Sequence, residues 1–397
     1  MPHRGTAVPS DFPEIQKAAL EAIAPIRPAD ENTKARKDTL FSATRSRAGR
    51  MLPEYYLVYF LLVELLGFRN LGKFEKLAWS VPIDFGGKAY LIEHRKFGVG
   101  IFVQDTEIDE PACEEIVKLI KEGVKTAKPF FVWLAEQAVS KSKLNVVNES
   151  RGLFSRYQYF LKTYNDIHNE ADRRSEERIV EQHSGSGGTK WTSVSFPAAE
   201  LRTQSQWMAQ AAIDAFFSWT EHVFIHIAIL TGEAKTGPDV AKLAVSPWYK
   251  KFASALDLGD GHTKQLYEKL AAIKEQLRNF MAHGAFGKRG EAFHFHSGAG
   301  AVPVLLTEER GSYGVTIDGG IAFDESSALK VIDQFIAHLW SGKREPARIY
   351  IQESGLPLLL TMASDGTYLS AMRSTDEMEE FVDGLSRQFD DAANMDW

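Results

Sequence analysis

Arg278, Asn279 and His283 stand close together in the run RNFMAHG, just ahead of Gly284. These residue types meet the demands of metal-free RNA cleavage. One group must take the proton of the ribose 2′-OH, one must protonate the departing 5′-oxygen, and a cation must hold the phosphate as its charge builds. Histidine suits the proton transfers because its unperturbed pKa lies near neutrality. Arginine suits the phosphate, since its planar fork donates two hydrogen bonds to adjacent oxygens.

Spacing refines this reading. Asn279 and His283 are four apart and share a helix face, so the amide can orient the imidazole. Arg278 and His283 are five apart, about 140° around a regular helix. Both reach one phosphate only if the helix loosens at His283 or if a second copy of the chain completes the site. A symmetric dimer would also supply two histidines, one as base and one as acid. The helix macrodipole favours a protonated imidazole in the last turn.

A long helix pair followed by a helix ending in R-N-x-x-x-H-G resembles the HEPN superfamily, all-α bundles that include many dimeric, metal-independent RNases with an R-x(4–6)-H motif. The resemblance covers roughly residues 198–342. It implies catalytic roles for Arg278 and His283, a supporting role for Asn279, an RNA substrate, a homodimer, no cofactor and no metal. It also implies a place among microbial toxin and antiviral systems, with a non-catalytic HEPN-like pairing scaffold as the alternative. The same spacing occurs twice more, in RIVEQH (Arg178 to His183) and RGEAFH (Arg289 to His294). The first has apolar Ile179 after its arginine, and the second starts in a Gly-flanked loop. Only RNFMAH ends a helix with an apolar stripe.

Other constellations bear on the same chemistry. Glu221 would support the Arg278/His283 site if the first and third helices of the bundle are neighbours. Lys288, Arg289, His294 and His296 are candidate RNA contacts, as is the basic run SGKREPAR with Lys343, Arg344 and Arg348. His222 and His226 have the i,i+4 spacing of metal ligands, but apolar neighbours and no third ligand favour a packed helix. Asp84 and Glu93, with Arg95 and Lys96 nearby, faintly resemble the PD-(D/E)xK pattern of Mg²⁺-dependent nucleases. Strand alternation puts Lys96 on the wrong face, so ordinary hairpin residues account for them better. P-loop, G-x-S-x-G and H-E-x-x-H patterns are absent from the sequence.

The elements that must position these residues follow from pattern. The charge-rich helix ending near Gln182 runs into a Ser/Gly stretch, residues 184–190, which reads as a linker. Beyond it, a long helix from Pro197 ends at Gly232, a shorter one is broken by Pro247, and a third carries apolar Leu266, Leu270, Ile273 and Leu277 at 4-3-4 steps, the stripe of a helix packed along one side. Hairpin strands should follow His283, then a fourth helix, short strands in ARIYIQE, LPLLLTMA and TYLSAM, and an acidic helix from Thr375. Ahead of the linker, Trp79–Asp105 reads as two or three antiparallel strands punctuated by Gly86, Gly87 and Gly98.

The expected class is therefore α+β. An N-terminal α/β region (residues 1–183) would sense a regulatory ligand or partner protein, or restrain the nuclease. Residues 191–342 form the HEPN-like domain with an inserted hairpin, and residues 343–397 form strands plus the acidic helix. With 397 residues, 44% hydrophobic and 25% charged, the chain is long enough for two or three cores. The first 183 residues carry 27 Lys and Arg against 26 Asp and Glu, and the rest 19 against 27. The acidic second half argues against tight duplex binding and favours a single-stranded or loop target. A single cysteine, Cys113, precludes an intrachain disulfide and suits a reducing cytoplasm. No secretory h-region is visible. The greasiest run, Tyr55–Phe68, is too short to span a bilayer and holds Glu64, so it reads as a core helix.

Overall fold

The computed structural model describes residues 12–35, 42–185, 187–188, 190–283, 294–295, 304–309, 312–316 and 325–395. The side chains of 278–283 and of the strands between 294 and 316 lie outside that description. The chain is an α+β protein with two compact units, Met1–Leu144 with Phe381–Trp397, and Asn145–Glu380.

In the first unit, β1 (Arg27–Pro28), β2 (Thr44–Arg45), β3 (Leu77–Phe85), β4 (Lys88–Arg95) and β5 (Gly98–Val103) form one antiparallel sheet in the order β1-β3-β4-β5-β2. The expected meander is its centre. Gly86 and Gly87 both have positive φ, +64° and +80°, between the paired Phe85 and Lys88. A two-residue turn of this kind needs left-handed backbone at both positions, which glycine adopts without strain.

Strand alternation then sorts the side chains. Val81, Ile83, Tyr90, Ile92, Ile101 and Val103 join one core with α1 (Phe12–Ile23), α2 (Tyr55–Tyr59), α3 (Thr106–Thr126) and α4 (Lys128–Ser140). α2 continues as a π-helical turn, Phe60–Leu65, with Leu61, Leu62 and Leu65 buried and Glu64 exposed, so the greasy run is the expected core helix. α3 begins where the Asp105 carboxylate accepts the N–H groups of Glu107 and Ile108 at 3.0 and 3.1 Å, closing donors the helix itself cannot satisfy.

The second unit is built on two long antiparallel helices, α5 (Ser150–Arg173) and α6 (Pro197–Leu230). α5 buries Ser150, Tyr157, Tyr164 and Ala171, one residue every seven, the repeat of a helix lying along a partner. The C-terminal half of α6 is buried nearly all round. Among the described residues, α6 alone is long and apolar enough to cross a bilayer, and 72% of that window is buried, as in a core helix. Gly232 ends it at φ +78°, as expected of a C′ glycine. α7 (Gly237–Ala244) and α8 (Trp248–Ala255) are separated at Pro247, and Thr236 and Asp239 form a capping box at the start of α7. Phe216 and Phe224 of α6 meet Phe252 of α8 and Phe335 of α10 (Glu325–Leu339) at centroid distances of 5.3 to 6.1 Å.

Two expectations are corrected. The Ser/Gly stretch is the loop of a hairpin, β6 (Ile179–Ser184) with β7 (Lys190–Ser195), inside the second unit. The division instead falls between Leu144 and Asn145, because α5 buries its apolar face on α6 rather than joining the sheet. The C-terminal strands are mostly helical turns, Glu345–Arg348, Ile349–Ser354, Leu360–Ser364 and Thr367–Ala371, with one short strand, Leu358–Leu359. Ile349, Tyr350 and Ile351 are all buried; the apparent alternation in ARIYIQE is overridden by burial on every side, which β propensity cannot anticipate. The acidic helix Thr375–Asn394 is present, as are the strands after His283, His294–Phe295, Val304–Glu309 and Ser312–Thr316, in one antiparallel sheet.

Candidate functional site

Helix α9 (Gly261–His283) carries the RNFMAH run on its last turns. Leu266, Leu270, Ile273 and Leu277 are buried at 2, 0, 7 and 6% exposure, so the expected stripe fixes which side of α9 faces the unit's core. The backbone stays helical through His283. Arg278 and His283 therefore stand about 140° apart around the axis, and no loosening of the described backbone brings them together. The side chains of Arg278, Asn279 and His283 lie outside the described residues. So do Gly284, Lys288, Arg289 and His296, and the side chain of His294, whose backbone pairs with Leu305.

One turn before Arg278 the structure assembles a charged cluster from three helices. Glu221 of α6 lies between two lysines. Its Oε2 is 2.9 Å from Lys251 Nζ of α8, and its Oε1 is 3.6 Å from Lys274 Nζ of α9. Lys251 is nearly buried, at 7% side-chain exposure, while Glu221 and Lys274 are more than a third exposed. Lys274 also sits over two rings, 4.7 Å from the centroid of Phe217 and 5.7 Å from that of Trp248, within the range of a cation–π contact. Glu221 thus meets α9 at Lys274, and its described partners are lysines.

Lys251 and Lys274 are the residues sequence reasoning passed over. Lys274 had a readable signal, since it precedes Arg278 by four and shares its helix face. Lys251 had none. Its place beside Glu221, 30 residues away, depends on how α8 packs on α6.

The other candidates resolve into structural roles. His226 is 1% exposed, with Nδ1 2.9 Å from the His222 carbonyl and Nε2 3.1 Å from the Val147 carbonyl. His222 Nε2 accepts the Glu149 N–H at 3.0 Å. Burial, then the neighbouring His226 ring, pushes the His222 pKa down to about 3. These engaged nitrogens offer a metal nothing, and among the described residues no group of three or more His, Cys, Asp or Glu could hold one.

Asp84 and Glu93 are kept apart. Asp84 is paired with Ala89 and Glu93 with Ser80, so the two stand four strand positions apart, about 13 Å. Asp84 accepts from Thr33 Oγ1 at 2.9 Å and Gly87 N–H at 3.1 Å, and Glu93 from Ser80 Oγ at 2.8 Å and Arg95 Nε at 2.7 Å. Lys96 donates to Asn394 Oδ1 at 3.0 Å. The Mg²⁺-nuclease pattern has no common site here, because the sheet register separates its two carboxylates.

In the first of the duplicate spacings, His183 stacks on Trp191 across the hairpin and bonds Ser193. Arg344 donates to the carbonyls of His338 and Leu339 at 2.7 and 2.9 Å, closing the end of α10, and Arg348 pairs with Glu353 at 3.0 Å. No family model, curated protein or solved structure matches this chain.

Proposed function

We propose that the protein is a metal-independent endoribonuclease that acts as a homodimer on exposed single-stranded or loop RNA. The observation carrying this reading is the course of α9, whose buried stripe anchors it in the unit and whose backbone stays helical through Arg278, Asn279 and His283. His283 takes the 2′-OH proton as the 2′-oxygen bonds to phosphorus. The bond from phosphorus to the 5′-oxygen breaks, and that oxygen receives a proton from the second copy's His283. Arg278 holds the crowded phosphate and Asn279 fixes the imidazole. The products are a 2′,3′-cyclic phosphate and a 5′-OH.

The 140° separation on a regular helix supports the second copy, since one chain alone does not aim both groups at one phosphate. A reducing cytoplasm suits a chain whose one cysteine, Cys113, is free and buried. The resemblance to HEPN proteins makes a regulated toxin or antiviral effector the natural setting, with the first unit as sensor or restraint.

Purified wild type and His283→Ala, incubated with total RNA in excess EDTA and followed by end mapping, test the reading. Cleavage by wild type alone, with cyclic phosphate ends and a loss of at least about 100-fold in the variant, is the expected result. Equal activity in both variants overturns it. A stable dimer that cuts nothing supports the pairing scaffold instead.

A further inference from the structure

Two ammonium groups share one carboxylate in the Glu221 cluster, and the two are not held alike. Lys251 is nearly enclosed and within hydrogen-bond distance of Glu221, so that pair is closed. Lys274, at 3.6 Å, lies beyond hydrogen-bond range, and its Nζ has no hydrogen bond among the described residues. The rings of Phe217 and Trp248 hold it in place without satisfying its three N–H donors. Among the described residues the cluster therefore keeps one positive charge in excess, on a fixed group more than a third exposed.

Its position gives that excess a meaning. Lys274 and Arg278 lie on one face of α9, about 6 Å apart along the axis, comparable with one nucleotide step along a stretched strand. We propose that Lys274 binds the phosphodiester neighbouring the one held at Arg278, with Lys251 behind it and Glu221 as the resident counter-ion that the phosphate displaces. The proposal rests on reading α9 as the catalytic helix. Glu221 is itself more than a third exposed, so its carboxylate can turn to solvent while keeping its backbone position. The ligand is a single-stranded RNA backbone, recognised by charge and not by base.

The test uses the full chain carrying His283→Ala, so that binding is read without cleavage. The affinity of a short fluorescein-labelled single-stranded RNA is measured by anisotropy across a salt series, with a melting curve for every variant. Adding Lys274→Ala should weaken binding about 5-fold or more and lower the log–log salt slope by about 0.7, the loss of one phosphate contact on a single strand. Lys274→Arg should retain both values. Glu221→Gln should tighten binding several-fold. If the alanine and glutamine variants match the background in affinity and slope while remaining folded, the subsite is wrong, and RNA that fails to bind at any salt overturns it equally. The two readings fail separately. His283-dependent cleavage with no Lys274 effect removes the subsite and keeps the nuclease. A Lys274 effect on binding, with wild-type protein that itself cuts no RNA, removes the nuclease and keeps the subsite.

Discussion

The buried carboxylates of the first unit and the carboxylate of the Glu221 cluster differ in how their charge is balanced. In the first unit Glu93 takes Arg95 and the Ser80 hydroxyl, Asp109 takes Lys88, and Glu110 takes the N–H groups of Arg47 and Ala48. Each has its own donors, and each ties one element to another. In the second unit a single carboxylate serves two lysines from two helices. A buried charge must find donors to offset its lost hydration, so a set of donors for each carboxylate is what folding alone requires. A second lysine on the same carboxylate, more than a third exposed, is more than folding requires. On the subsite proposal, the difference separates residues that hold the molecule together from residues available to a ligand, although both sets look alike in sequence.

The largest effect should come from breaking a closed pair. Glu93 is 2% exposed and its partner Arg95 is 37% exposed at the side chain. Glu93→Gln should therefore cost about 2 kcal/mol, below the range for a fully buried pair because Arg95 reaches water. Chemical denaturation would measure it. RNA affinity and EDTA-insensitive cleavage should stay at wild-type levels. A loss of cleavage in folded Glu93→Gln protein would move the chemistry to the sheet and break the comparison.

The second unit also contains a closed polar set, the His222 and His226 pair, and pH reads it. The folded-state pKa of His222 lies at about 3, against an ordinary 6.5, through burial first and the His226 ring second. A depressed value means that the unfolded chain takes up the proton more readily. The stabilisation is complete above about 6.5 and is lost as pH falls towards 3. By pH 5 the loss should reach up to about 2 kcal/mol at 1.36 kcal/mol per pKa unit. Denaturation midpoints between pH 7 and 5 should fall more in wild type than in His222→Gln. Equal slopes in the two proteins would show that His222 titrates freely.

What could be read from the sequence was local. The stripe Leu266–Leu270–Ile273–Leu277, the paired glycines at 86 and 87, and the break at Pro247 each express a rule that operates within one element. The pattern failed where a remote partner decides. Gly and Ser between residues 184 and 190 suit a tether and a hairpin loop equally, and only the packing of α5 on α6 tells them apart. ARIYIQE looks like a strand because Ile and Tyr favour strands on average, yet three consecutive buried residues leave no solvent face. At the candidate site, Arg278, Asn279 and His283 stand out by type and spacing, and Lys274 was one helical turn away. Lys251 is invisible until three helices are in place.

A smaller effect is expected at the start of α7. Thr236 Oγ1 accepts the Asp239 N–H at 3.3 Å, and the Asp239 carboxylate accepts the Thr236 N–H at 3.0 Å. Thr236→Ala removes half of this reciprocal cap and should cost about 1 kcal/mol, with RNA affinity unchanged. A change in affinity would mean that α7 reports on the Lys274 face, and that closed and open polar sets are not independent.

The smallest effect belongs to the loop between Ser184 and Lys190. Unlike the sheet of the first unit, the β6–β7 ribbon is exposed along nearly its whole length, so little of the core depends on it. Five loop residues close a hairpin whose ends are already brought near by α5 and α6. Doubling them with further Gly and Ser should cost about 0.6 kcal/mol, the entropy of a longer closure, and leave the rest of the unit folded. A tether between independent domains would respond differently, since lengthening it changes no closure within either domain. A chain with the doubled loop should therefore melt slightly earlier, with RNA binding at Lys274 unaltered. A large loss of stability would show that the ribbon is packed against something, and its contrast with the buried sheet would no longer hold.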